Sequence, residues 1–278
     1  MPLTLVPTPI GNLEDMTLRA IRVLKEADVI ACEDTRTSGV LLKRYGISKP
    51  LVALHLHNER ECSGRLMPDL AEGRNVAVIS DAGTPGISDP GYLLFRNAID
   101  AGYEVDVLPG PSALLPALIL SGLPPHPFLF HGFPPEKPGQ RKKLFESLSS
   151  LCCTLVFYLS PHKAERHVAD MLEVWGDRRA ALVREISKLY QESVRGSLSD
   201  IAERLLHGVK GEMVLVAEGR GDEGEPDSWR EEAEAMLNEG RPVRTIVDEI
   251  TARRGASRNA VKEFLLLLKR KEEESRTN

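Results

Sequence analysis

Short apolar runs recur through the first 219 residues, each bounded by turn-forming residues and separated by stretches of helical spacing. Residues 3–6, 29–32, 76–80 and 105–108 read as strands, short apolar or β-rich runs with Asp106 the one charge among them. Residues 18–24 carry apolar side chains at helical spacing, and the stretch 112–120 predicts a helix after the fourth strand. Ser121-Gly122-Leu123-Pro124-Pro125-His126-Pro127 then breaks the pattern, since clustered prolines continue neither a helix nor a central strand. The alternation resumes with strands at 128–131 and 154–159 and helices at 144–151 and 164–174. Two further strands, 180–186 and 212–217, flank a helix at 200–206. Strands alternating with crossover helices predict an α/β fold in two domains, residues 1–123 and 124–220.

Residues 221–278 depart from this rhythm. The stretch 221–240 holds eight acidic residues and one arginine, opens Gly-Asp-Glu-Gly-Glu-Pro-Asp and reads as an acidic linker. Residues 241–270 hold eight basic and three acidic residues. Helices are expected at 243–252 and 257–268, with Ser257 as N-cap of the second. The pair suits a small helix–turn–helix unit or a hairpin with solvated charges. The chain has 278 residues and a formal charge of −5, so nucleic-acid binding requires a local basic patch rather than an overall polycation. No apolar run is long enough to span a bilayer, and the N-terminus lacks a basic, cleavable leader pattern. Cys32, Cys62, Cys152 and Cys153 form no CxxC pair, which favours reduced thiols in a cytoplasmic protein.

The candidate chemistry lies in three loops at the expected C-terminal ends of strands, the edge where open α/β sheets bind ligands. They are Pro7-Thr8-Pro9-Ile10-Gly11-Asn12-Leu13-Glu14-Asp15, the twelve residues from Ser80 to Gly91, and Pro109-Gly110-Pro111-Ser112-Ala113. Glycine permits close backbone approach and proline stiffens the loop, so the three predict a rigid crevice lined by backbone N–H and C=O groups. Such a crevice suits an adenosine-type cofactor with an amino-acid tail. Asp81 would face ribose hydroxyls or an amino group, and the helix N-terminus at Ser112 and Ala113 would face a carboxylate. G-x-G-x-x-G after the first strand and the G-x-x-x-x-G-K-[ST] phosphate loop are absent. No metal site is expected: His55 and His57, flanking Leu56, would share one strand face but have no third ligand nearby.

The loops Pro7–Asn12, Ser80–Gly91 and Pro109–Ala113 resemble the three signatures of the tetrapyrrole-methylase superfamily. Cys32-Glu33-Asp34-Thr35-Arg36, Phe130-His131-Gly132-Phe133-Pro134-Pro135, Val156-Phe157-Tyr158-Leu159-Ser160-Pro161-His162-Lys163 and Arg184-Glu185-Ile186-Ser187-Lys188-Leu189-Tyr190 are similar to its ribosomal-RNA 2′-O-methylating branch. Pro134 stands where that branch is expected to have Leu. The resemblance implies two α/β domains with S-adenosylmethionine in the cleft between them, a small C-terminal helical extension, and a homodimer. It implies cofactor contacts at Pro9, Ile10, Gly11, Asp81, Gly83, Thr84, Ile87, Ser88, Ser112, Ala113, Tyr158 and Leu159. The substrate it implies is a cytidine ribose in the decoding region of 16S rRNA, free or within the small ribosomal subunit.

Transfer of a methyl group to a ribose hydroxyl needs in-line alignment and a group that accepts the hydroxyl proton. Lys188, Glu185, Glu33, Asp34 and Arg36 are the catalytic candidates, with Arg36 and Arg184 also suited to phosphates. A salt-bridge network between domains explains the same residues equally well. Lys137, Arg141, Lys142 and Lys143, after the Gly132–Pro135 loop, are candidates for an RNA-binding track. Two other readings share the loops: a corrinoid or porphyrin methylase, which needs no basic tail, and a non-catalytic RNA-binding assembly factor.

Overall fold

A computed structural model of the chain describes residues 2–220, 228–254, 256 and 258–277. Residues Met1–Gly219 form one compact unit and Arg220–Asn278 a second.

The first half of the larger unit is a parallel sheet. Strands β1 (Leu3–Leu5), β2 (Val29–Cys32), β3 (Leu51–Ala53), β4 (Val76–Ile79) and β5 (Val105–Val107) lie in the order β3-β2-β4-β1-β5. The three inner strands are buried along their whole length, as their unbroken apolar runs require. Helices α3 (Glu59–Ala71) and α4 (Tyr92–Asp100) cover one face, packing Leu66, Leu70, Leu94 and Phe95 on Leu3, Leu5, Val76 and Val78. Helices α1 (Leu18–Glu26) and α2 (Thr35–Arg44) cover the other, where Leu24 and Leu42 meet Ile30, Ala77 and Ile79. Thr17 starts α1 by accepting the Ala20 N–H at 3.0 Å, a cap worth about 1 kcal/mol. Because all five strands run the same way, the segments after β1, β2, β4 and β5 emerge at one edge.

Helix α5 (Leu114–Ser121) leaves that sheet. Ala117 and Leu118 pack against Val156, Val183, Val214 and Val216 of a second sheet. The boundary expected after residue 123 thus follows a helix that covers the second sheet. The second sheet comprises β6 (Phe128–Gly132), β7 (Thr154–Leu159), β8 (Arg179–Arg184), β9 (Glu192–Ser197) and β10 (Met213–Ala217), in the order β6-β7-β10-β8-β9. Only β6 and β7 pair in parallel; the rest is antiparallel. Helices α6 (Pro138–Leu148), α7 (Ala164–Trp175) and α8 (Leu198–Leu206) cover its other face, around Phe145, Phe157, Met171 and Trp175.

Three expectations shift here. The helix expected at 144–151 begins at Pro138, where a missing N–H costs nothing in a first turn, and ends by Leu148. The strand expected at 180–186 stops at Arg184, because Glu185 turns to φ 51°. Strand β9 was not expected: Glu-Ser-Val-Arg-Gly-Ser is polar and lies at the sheet edge.

In the smaller unit, α9 (Ser228–Asn238), α10 (Val243–Arg254) and α11 (Arg258–Thr277) enclose Trp229, Ala233, Met236, Ile246, Ile250, Val261 and Leu265. Residues 228–238, expected as linker, therefore form a helix with a buried apolar face. Residues 221–227 and the proposed cap Ser257 lie outside the described residues. Part of the unit's positive charge is paired internally, Arg241 with Glu249 at 2.7 Å and Arg258 with Asp248 at 2.6 Å. No helix among the described residues is long and apolar enough to cross a membrane.

Candidate active site

The three glycine- and proline-rich loops are tied to one another before any ligand is considered. Thr8 and Gly83 exchange two backbone hydrogen bonds of 2.9 Å, joining loop one to loop two. The buried Thr8 hydroxyl donates to the Ser80 carbonyl at 2.9 Å. Thr84 Oγ1 donates to the Pro111 carbonyl at 3.2 Å, joining loop two to loop three. Gly83 holds φ +80°, a backbone state that side chains disfavour, and there its peptide lies against the cavity. Glu59 Oε1 accepts the N–H groups of Gly91 and Leu93 at 2.8 Å, anchoring the far end of loop two at the start of α4.

These loops form one wall of a cavity of about 450 Å³ between the two sheets. Ten of the twelve expected cofactor positions line it: Ile10, Asp81, Gly83, Thr84, Ile87, Ser88, Ser112, Ala113, Tyr158 and Leu159. Pro9 and Gly11 do not; the Lys188 side chain lies across Gly11 so closely that a Cβ there would collide with it. The second sheet adds residues that the motifs did not single out as contacts, among them Phe130, Phe133, Ile186, Glu212, Met213 and Val214. Phe130 and Phe133 both meet Tyr158 edge to face, at centroid distances of 4.8 and 5.5 Å. The donor set fits an adenosine cofactor with a methionine tail: backbone groups and carboxylates for its polar atoms, and Ile10, Leu159 and Val214 as apolar walls.

The cavity is also acidic. Glu33, Asp81 and Asp89 all line it. Burial, then the Asp81 charge, raises the Glu33 pKa. Burial, then the charges of Glu33 and Asp81, pushes Asp89 up to about 6. Glu33 and Asp89 are half-buried and Asp81 is exposed; like charges held this close resist ionising together, and a cation entering the cavity would relieve them. A sulfonium carrying an ammonium tail is such a cation. Asp89 was missed in the sequence because it sits in a turn motif, Ser88-Asp89-Pro90-Gly91, where an aspartate is ordinary.

The other catalytic candidates stand differently. Glu33 lines the cavity, whereas Asp34, Arg36, Glu185 and Lys188 do not. Asp34 caps α2 by accepting the Arg36 N–H at 2.7 Å and also pairs with the Arg36 guanidinium at 2.9 Å. Those bonds from Arg36 hold its pKa down to about 2. The Lys188 ammonium bridges Glu185 and Glu212, at 2.9 Å each. Burial lowers the Lys188 pKa, but the two carboxylates outweigh it and leave the net value raised. Lys188 is thus held as a cation between two carboxylates. Arg184 donates to Glu192 at 2.5 Å and to the Lys210 carbonyl at 3.1 Å.

The basic track is also thinner than expected. Arg141 is only 2% exposed; its guanidinium binds Asp170 and the carbonyls of Pro135 and Glu136. It braces the loop from inside and is withdrawn from the RNA-binding set. Lys142 is held by Glu173 at 2.7 Å, while Lys137 and Lys143 are exposed. The histidine pair is corrected as well: β3 ends at Ala53, and His55 lies in a turn whose N–H bonds Asn58 Oδ1 at 2.8 Å. Among the described residues no group of three His, Cys, Asp or Glu side chains is placed to hold a metal.

Two five-stranded sheets facing across a loop-lined cleft define a class of α/β protein already known from solved methyltransferase structures. The fold aligns with diphthine synthase at a TM-score of 0.62 and 17% identity, covering 79% of this chain and 90% of that one. It also aligns with a cobalt precorrin-4 methyltransferase at a TM-score of 0.56 and 16% identity, covering 78% and 94%. The chain belongs to the tetrapyrrole (corrin/porphyrin) methylases, whose family model matches residues 2–202, and within them to the group of ribosomal RNA small subunit methyltransferase I. The protein of that name from Halalkalibacterium halodurans is 47% identical over 82% of this chain and 80% of its own length. The Bacillus subtilis protein of that name is 39% identical over 93% and 92%.

Proposed function

We propose that this protein methylates the 2′-oxygen of a cytidine ribose in the decoding region of 16S rRNA, using S-adenosylmethionine. The observation that carries the reading is the acidic, loop-built cavity with Glu33 in its wall, in a chain whose relatives bear the name of a ribosomal RNA methyltransferase. The cofactor supplies a methyl group on a sulfonium, ready for displacement. Residues of loops one to three, among them Asp81, Thr84, Ser112 and Ala113, would hold its polar groups, and Tyr158 and Leu159 would contribute from the second sheet. Glu33 accepts the hydroxyl proton; its raised pKa makes it a stronger base than a free glutamate. Lys188 acts as a fixed cation that orders the Glu185 and Glu212 carboxylates at the cleft edge. Arg36, Arg184, Lys137 and Lys143 hold phosphates of the RNA strand.

The protein acts as a cytoplasmic homodimer in this reading. Leu115 and Ile119 support a second copy, since both leave more than half their surface exposed on the outer side of α5. The deciding experiment offers labelled S-adenosylmethionine with small ribosomal subunits, with 16S rRNA and with precorrins. Label on a single cytidine ribose of the RNA is expected. Label on the precorrin alone would install the corrinoid reading, and RNA binding without label the assembly-factor reading.

A further inference from the structure

Phe133 is the most exposed aromatic ring lining the cleft, where Phe130 and Tyr158 are half-buried. It follows β6, lines the cavity beside Tyr158, and leaves 56% of its surface open. Its loop is nonetheless braced from several directions. Gly132 turns the chain at φ +81°, and a Cβ there would lie 3.2 Å from Ser88 Oγ of the opposite wall. Pro134 is buried, and Pro135 follows it. Arg141 reaches up from α6 to hold the carbonyls of Pro135 and Glu136 at 3.1 and 2.8 Å, itself neutralised by Asp170. Glu136 also pairs with Lys163. A buried arginine and two prolines thus fix a loop whose most prominent product is an exposed phenyl ring.

A ring held this way loses little entropy when something stacks on it. Single-stranded RNA bases splay out and stack on such rings, and enzymes acting on one nucleotide take it out of the stack to reach it. The exposed Lys137, four residues on, offers a phosphate contact on the same loop. We propose that Phe133 is the stacking platform for the base of the target nucleotide, holding it so that its ribose faces Glu33. This rests on the rRNA-methylating reading and adds to it the residue that selects an unstacked base.

Variants Phe133→Ala, Phe133→Leu and Phe133→Trp separate stacking from bulk. Because the ring is exposed, all three are expected to melt with the wild type. Affinity for S-adenosylmethionine, measured by calorimetry, is expected to stay within about twofold, as a contact to RNA alone requires. The kcat/KM for small ribosomal subunits is expected to fall about tenfold to a hundredfold in the Ala and Leu variants and to stay within about threefold in Trp. Wild-type turnover by Phe133→Ala overturns the proposal. So does wild-type turnover by Phe133→Leu, which reduces the ring to apolar bulk, or a matching loss of cofactor affinity, which assigns it to the cofactor. Wild-type protein that binds cofactor yet methylates no subunit removes the functional reading and the platform together; undiminished transfer by the Ala variant removes the platform alone.

Discussion

Replacing Asp89 by Asn should stabilise the ligand-free protein, and the gain should depend on pH. Asp89 is half-buried, with Glu33 and Asp81 in the same wall, and its pKa rises from 3.8 to about 6. An acid with a raised folded-state pKa keeps its proton longer when folded. Stability is therefore lost as pH rises from 3.8 through about 6, and the full penalty stands above that. At about 1.4 kcal/mol per pH unit the difference sets a ceiling of about 3 kcal/mol. Residual solvent and repulsion shared with the other carboxylates reduce this to about 1–2 kcal/mol. For a unit of this size that is about 3–6 °C in Tm. Thermal melts of wild type and Asp89→Asn at pH 8 and pH 4.5 provide the assay, with most of the difference expected to vanish at the lower pH. A variant that melts lower than wild type at pH 8, or by the same margin at both values, refutes the claim that charge repulsion strains this wall.

Lys188→Arg should retain methyl transfer, since a cation suffices between Glu185 and Glu212; activity at background level in a folded Arg variant would return Lys188 to the role of base. Arg141→Ala should lower stability by about 3–5 kcal/mol in denaturant titration, because it strands Asp170 and two carbonyls; a loss under 1 kcal/mol contradicts the bracing role. His167 is buried with both ring nitrogens unpartnered, and burial, then Arg141, lowers its pKa to about 4. Its folded value lies below 6.5, so its contribution is whole above pH 6.5 and is lost as pH falls through about 4. His167→Leu should escape an acid loss on the order of 2 kcal/mol that the wild type suffers, as read from denaturant midpoints at pH 7 and 4.5.

Much of the first sheet was legible because β2 and β4 are covered on both faces and so are written as unbroken apolar runs. The edge strand β9 was not, since Glu192 to Ser197 pairs through its backbone and its side chains need not be apolar. Helices α2 and α3 escaped as well: Gly39, Gly64 and Pro68 interrupt their spacing, and packing rather than propensity holds them. The cofactor loops could be read because glycine and proline are needed there for backbone reasons. The roles of charged residues could not, because motif position does not say what a side chain touches. Arg141 and Lys143 are neighbours in one basic run, yet the first is buried beneath Asp170 and the second is exposed. Asp89 acquires its chemistry from burial first and then from Glu33, which is 56 residues away in sequence.

Helix α5 has a consequence for how the chain can be divided. It is encoded before the proline break, yet it roofs the valine surface of the second sheet and Arg195 of β9 donates to its Leu120 carbonyl at 2.7 Å. Cutting at that break would bare Val156, Val183, Val214 and Val216 on one fragment and a helix apolar but for Ser121 on the other, so both pieces would clump when expressed apart. Mixing the two fragments in one host should rescue them by reassociation.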